Sequence, residues 1–260
     1  MSEEYQLKPL RDFAIVPAIH EKLAKLAEIA EFEDWNYKNT PTTFNQPILY
    51  NYVQRTFTRV HEQGKIAISP DQEHACWNTG LVTDHQEPIF MLVDQNLKRE
   101  QGGQQPWHFR KFCRRGEHEL NYFSELPEMA TYFEDPTCLV FDSRRELRVN
   151  IEHIIADNKD RFPEPYRSRT NYELQMTLKG AIDNAQERVR RNYKAAVPQF
   201  YDGRVQLLLP LCLGGPEKAD LALVADRFEA FYRASTCLTL DMAYNNARQL
   251  ARPDRDWLQP

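Results

Sequence analysis

The chain has 260 residues, 42% of them hydrophobic and 27% charged, with a formal net charge of −5. That length allows one large or two small domains with a substantial core, and the acidic balance excludes a protein that coats nucleic acid indiscriminately while leaving room for a local basic face. No run of about eighteen apolar residues is present, and the opening MSEEYQLKPLRDF carries charges where a secretory signal needs an apolar stretch; the expectation is a cytoplasmic protein with no membrane segment.

Residues 10–33 have helical apolar spacing through Phe13, Val16, Ile19, Leu23, Leu26 and Ile29, with Pro17 placing the regular helix after it. A second helix is expected over 47–63, from Ile48, Tyr52, Phe57 and Val60. From Lys65 to Arg114 the pattern changes to KIAIS, HACWNTGLV, PIFMLV and WHFRKFCR, punctuated by turn residues and the loop EQGGQQP, which predicts an antiparallel meander. TCLVFD and ELRVN flank a Ser-Arg-Arg turn and read as a hairpin, and Asn150 is placed to cap a helix that Pro163 ends. A long helix is expected from about Tyr172 to Ala196, then strands at RVQLLLPLCL, ADLALVADRF and YRASTCLTL, and a closing helix at MAYNNARQLA. Blocks of helices and strands without strict alternation predict an α+β fold: a largely antiparallel sheet of hairpins packed on N-terminal and central helices. No linker, repeat or low-complexity tract divides the chain, so it reads as a single compact domain over 1–260 with 1–64 as its helical N-terminal part. Five cysteines, odd in number, widely spaced and without a CxxC pair, read as reduced thiols.

The sequence contains no GxxxxGK[ST] loop, GxGxxG, HExxH or GxSxG element and no zinc-ligand spacing. No cofactor or metal is specified by what remains, although several constellations could serve a ligand. In WHFRKFCR, Trp107 and its aromatic neighbours alternate with Arg110, Lys111 and Arg114, the pairing that stacks bases and neutralises phosphates; its competitor is a strand with one core face and one solvated edge. The segment from Lys159 to Arg204 is rich in bases, among them Arg188, Arg190, Arg191 and Lys194, but Glu187 shortens any stripe, and cations also suit a helix C-terminus. His153, with Asp157 four residues on and Arg161 a turn further, forms a candidate acid/base face, or a structural histidine on an apolar helix. Asn78 in WNTGL marks a bulge or a close approach of backbone to a ligand.

The densest candidate is TLDMAYNNAR at 239–248. Matching leucines across the last hairpin puts Asp220 on the face of Thr239 and Asp241, a carboxylate pair suited to a divalent metal or a nucleotide hydroxyl, while Tyr244, Asn245 and Arg248 display hydrogen-bonding groups beside it. The plainer reading makes Asp241 the N-cap of the final helix.

WNTGL at 77–81, NIEHIIADNKDRFP at 150–163, AVPQFYDGRVQLLLPL at 196–211 and the block from 219 to 258 together resemble a prokaryotic family catalogued as domain of unknown function 3825. Relatives in that family occur joined to cold-shock or other RNA-binding modules, none of which lies within these residues, so the resemblance implies a place in RNA metabolism. The combined expectation is an RNA- or nucleotide-binding protein, with an RNA-processing enzyme as its catalytic form. A non-catalytic interaction scaffold and a metal-dependent phosphoesterase are the alternatives.

Overall fold

The computed structural model describes residues 9–97, 105–253 and 257–258; the 100–104 part of the predicted glycine loop lies outside them. The architecture is α+β, with two five-stranded, mostly antiparallel sheets. The chain forms two compact units, one of Met1–Tyr37 and Thr42–Thr131, the other of Lys38–Pro41 and Tyr132–Pro260.

In the first unit, a one-turn helix α1 (Leu10–Phe13) leads into β1 (Ala14–Ile15), followed by α2 (Ile19–Ile29), α3 (Pro47–Glu62) and the meander β2 (Ala67–Ile68), β3 (His74–Val82), β4 (Pro88–Gln95) and β5 (Trp107–Arg114). The sheet order is β1-β5-β4-β3-β2, with β1 parallel to β5. The helix expected from residue 10 is therefore broken by a strand before Pro17, because two residues there pair with Trp107 and His108. Phe13, Phe57 and Trp77 pack within 6 Å of one another on the helical side of this sheet, and Cys76, Phe90, Leu92, Cys113, Leu120 and Phe123 form a second buried cluster.

WNTGL is a bulge: the β3–β4 register shifts between Asn78 and Val82. Asn78 Oδ1 accepts from the Gly80 amide at 2.9 Å and Thr79 Oγ1 donates to Ile89 O at 2.7 Å. Gly80 has φ +73°, and a Cβ there would collide with the Tyr52 hydroxyl. The backbone approach inferred at this position is thus made by the unit's own α3.

The second unit contains β6 (Glu146–Val149), α4 (Ile151–Asn158), α5 (Asn171–Arg191), the meander β7 (Val197–Tyr201), β8 (Arg204–Leu211), β9 (Leu221–Arg227) and β10 (Phe231–Leu238), and α6 (Leu240–Ala247). Its order is β6-β10-β9-β8-β7, with β6 parallel to β10. The hairpin expected around Ser143 is not formed: TCL makes a short 3-10 turn, and ELRV pairs instead with β10. Asn150 caps α4, as its position suggested, and α5 opens with a capping box between Thr170 and Glu173. The amphipathic faces of α4 and α5 bury Ile154, Leu174, Leu178, Ile182 and Val189 against Leu207, Leu209, Leu221 and Leu223 of the sheet.

Candidate functional site

The polar excess of TLDMAYNNAR is largely consumed within the second unit. Thr239, not Asp241, caps α6, its hydroxyl accepting from the Met242 amide at 3.4 Å. Asp241 lies inside the helix, 1% exposed, and its carboxylate accepts from the Lys38 amide at 3.0 Å, the Asn39 amide at 3.0 Å and the Thr40 hydroxyl at 2.8 Å. It clamps a segment from far upstream in the chain. Asn246 Nδ2 donates to Gln199, Gln199 to Gln206, and Gln206 to Asp226, at 3.2, 2.8 and 2.8 Å, a buried polar relay across β7, β8 and β9. Tyr244 and Asn245 are each 7% exposed, Asn245 with an unpartnered buried Oδ1, while Arg248 forms the helix C-cap.

The leucine-to-leucine register does not form. Leu238 pairs with Ala222 and Cys237 with Leu223, with a shift between Arg233 and Thr236. The ladder ends at Leu238, for Thr239 is already the N-cap of α6 and Asp241 lies in the helix, so no strand pairing brings Asp220 beside them. Asp220 instead accepts from the Leu213 amide at 2.7 Å and the Gly214 amide at 3.2 Å, fixing the β8–β9 loop. The two carboxylates are thus spent on separate backbone segments, 38–40 and 213–214.

His153 Nδ1 lies 3.3 Å from Asp157 Oδ2, and both side chains are about half exposed. Arg161 turns away from them, its Nη1 donating to Cys237 O at 2.7 Å and Asn158 Oδ1 at 3.0 Å. It latches α4 to β10 and does not complete an acid/base face with His153.

In the first unit, β5 carries a bulge, since Leu92 pairs with Lys111 but Val93 with Phe109. Trp107 and Phe109 are buried, Arg110 reaches Asp94 at 3.3 Å, and Lys111 bridges Glu117 and Glu119. Those hydrogen bonds, which the lysine donates to Glu117 first and to Glu119, hold its pKa above the ordinary value. Arg114 is exposed at the strand end. Trp107 and Phe109 thus face the core, Phe112 is half-buried edge-on to Phe109, and two of the strand's cations are neutralised locally. Asp71, Glu73 and His74 bring ligand-type atoms within 4.8 Å of one another, but His74 Nδ1 is 2.8 Å from Asp94 and its ring stacks on Tyr122, so a cation would compete with existing contacts.

Cations and an exposed aromatic side chain do adjoin cavities at the end of α5. Arg188 and Arg191 line a cavity of about 470 Å³ with Asn184, Cys212 and the Gly214–Gly215–Pro216 turn. Arg188 donates to Pro216 O, tying helix to turn. Just beyond the helix, Tyr193, 63% exposed, and Lys194 line a second, mainly apolar cavity of about 320 Å³ with Val140, Pro198, Leu250 and Arg252. The sequence singled out the cations of this stretch. Tyr193, Arg252 and the glycine turn were missed, since only folding assembles segments so distant in the chain.

No helix among the described residues is long and apolar enough to cross a membrane. Neither the curated proteins nor the solved structures contain a match to the chain. The family model described as domain of unknown function DUF3825 matches residues 26–257, and the chain belongs to that family.

Proposed function

We propose that the protein binds single-stranded RNA, or a nucleotide derived from it, at the surface around the end of α5, and that it acts in RNA metabolism. The observation carrying this reading is the adjacency along the chain of two unlike cavities: one with Arg188 and Arg191 beside a glycine turn, the other apolar and bordered by Tyr193 and Lys194. A ribonucleotide makes two demands, neutralisation of phosphate and a flat apolar surface for the base, and aromatic stacking beside arginine meets both. Asp220 supports the site indirectly, because its hold on the Leu213 and Gly214 amides preorganises the turn that faces the arginines. A catalytic role would require further groups at this surface. The carboxylates first considered for one are engaged elsewhere.

The test is to purify the protein from cells, denature it, and identify released material by absorbance and mass spectrometry. RNA or a ribonucleotide should be released from the wild-type protein and reduced in Arg191→Ala/Tyr193→Ala. Absence of nucleic acid, together with no binding of added single-stranded RNA, would overturn the proposal.

A further inference from the structure

We infer that the chain consists of two copies of one βααββββ folding unit, an internal duplication obscured in the sequence. Both units place an edge strand first, then two helices, then a four-stranded meander whose last strand lies parallel to the first strand, so that β1-β5-β4-β3-β2 and β6-β10-β9-β8-β7 are the same order. In both, the second helix packs on the second strand of the meander, α3 on β3 and α5 on β8. Shared order alone recurs in unrelated proteins, but here the correspondence extends to individual residues.

Five of the eight buried positions of α3, Leu49, Tyr52, Val53, Thr56 and Val60, correspond at one separation along the chain to the buried Leu178, Ala181, Ile182, Ala185 and Val189 of α5, while Pro47, Ile48 and Phe57 fall on the exposed Met176 and the half-buried Thr177 and Gln186. The residues preceding the last pair are Arg59 and Arg188. Each lies in the last turn of its helix and donates to a loop carbonyl, Thr131 O and Pro216 O respectively.

The third strands agree as closely. Five consecutive buried residues, Ile89–Val93 in β4 and Leu221–Ala225 in β9, are followed by a half-buried aspartate and an exposed residue. In both units that aspartate is held by the residue opposite it on the preceding strand, with an arginine nearby that comes from β5 in the first unit and from β8 in the second. Asp94 Oδ1 is 2.8 Å from His74 Nδ1 of the preceding strand and 3.3 Å from an Arg110 nitrogen. Asp226 Oδ1 accepts at 2.8 Å from Gln206 Nε2, also of the preceding strand, and is 3.5 Å from Arg204 Nε. Five matched buried positions in the second helix, and an unbroken five-residue burial register in the third strand of the meander that ends at an aspartate held from the preceding strand, are what copies of one unit retain. Surface residues were free to diverge.

The experiment is hydrogen exchange with mass spectrometry on the full-length protein without RNA, so its outcome is independent of the ligand reading. Val60→Ala and Val189→Ala, at equivalent buried sites, should each speed exchange by about tenfold or more in their own unit. The first should act on β3 and β4 and the second on β8 and β9, with the other unit unchanged. Should either variant fail to fold, Asp94→Asn and Asp226→Asn supply a milder pair with the same expectation. Acceleration throughout both units, or in non-equivalent strands of the two, would overturn the inference.

Discussion

Replacement of Asp241 by asparagine separates a helix cap from a clamp. A capping residue keeps a side-chain acceptor after this change and loses little. The buried carboxylate of Asp241 instead receives two backbone amides and a hydroxyl from 38–40, all at 3.0 Å or less. Hydrogen bonds to a charged group contribute about 1.5–3 kcal/mol each, and a buried donor left unmatched costs about 1–3 kcal/mol. Asparagine retains one good acceptor and presents an NH2 group toward a donor. The expected loss is about 2–3 kcal/mol for Asp241→Asn, and roughly 3–5 kcal/mol for Asp241→Ala, which orphans all three donors. In urea titrations followed by circular dichroism, the asparagine variant should lower the midpoint of the second unit's transition by about 1 M, given slopes of about 1–3 kcal/mol per molar urea. A change below about 0.5 kcal/mol would show that the 38–40 clamp contributes nothing and that the cap explanation was sufficient.

Gly80→Ala should destabilise the first unit by about 1–3 kcal/mol, since it combines a positive φ with a collision at Tyr52; adding Tyr52→Phe should restore part of the loss in the same titration. Alkylation of the native protein at pH 8 should reach the half-buried Cys138 and Cys212 before Cys76, Cys113 and Cys237, which are buried and whose thiols burial pushes up to about 12; early modification of Cys237 would contradict the packing of β10. The side-chain hydrogen bond from Arg144, with its backbone amide, holds the Asp142 pKa down to about 2. Because the native value lies below the unfolded one, this stabilisation is present above the ordinary carboxylate range and is lost as pH falls toward 2. An NMR titration of Arg144→Ala should return Asp142 toward that ordinary range, and an unchanged value would reject the assignment.

Local patterns in the sequence were enough for α3, the body of α5, the first meander, β8 to β10 and the Asn150 cap, because periodicity and turn chemistry act over a few residues, but they missed β7, and the expected helix end at Ala196 lies five residues past Arg191. They failed where distant segments decide the outcome. β1 sits within helical spacing and is a strand only because β5 lies beside it. The last hairpin was registered by matching leucines, and the irregularity between Arg233 and Thr236 displaces that match. The polarity of 239–248 was correctly singled out but assigned to a cleft, whereas Asp241 serves residues 38–40 and Asn246 feeds a buried relay. The duplication was invisible because the matched positions keep burial more faithfully than identity; Val60 and Val189 agree, but Tyr52 corresponds to Ala181. Of the candidate surface, the charges at 188–194 were legible, and their placement beside 214–216 was not.

The central claim is tested most directly by titrating labelled single-stranded RNA with the wild-type protein and with Arg188→Ala/Arg191→Ala across a salt series. Wild-type affinity should fall linearly on a log-log plot, with a slope of about −0.7 per phosphate neutralised, and the double variant should bind more weakly with a slope flatter by about 1.4 if both arginines contact phosphate. Indistinguishable affinity and slope in the two proteins, or no binding by the wild type at low salt, would contradict an RNA site at the end of α5.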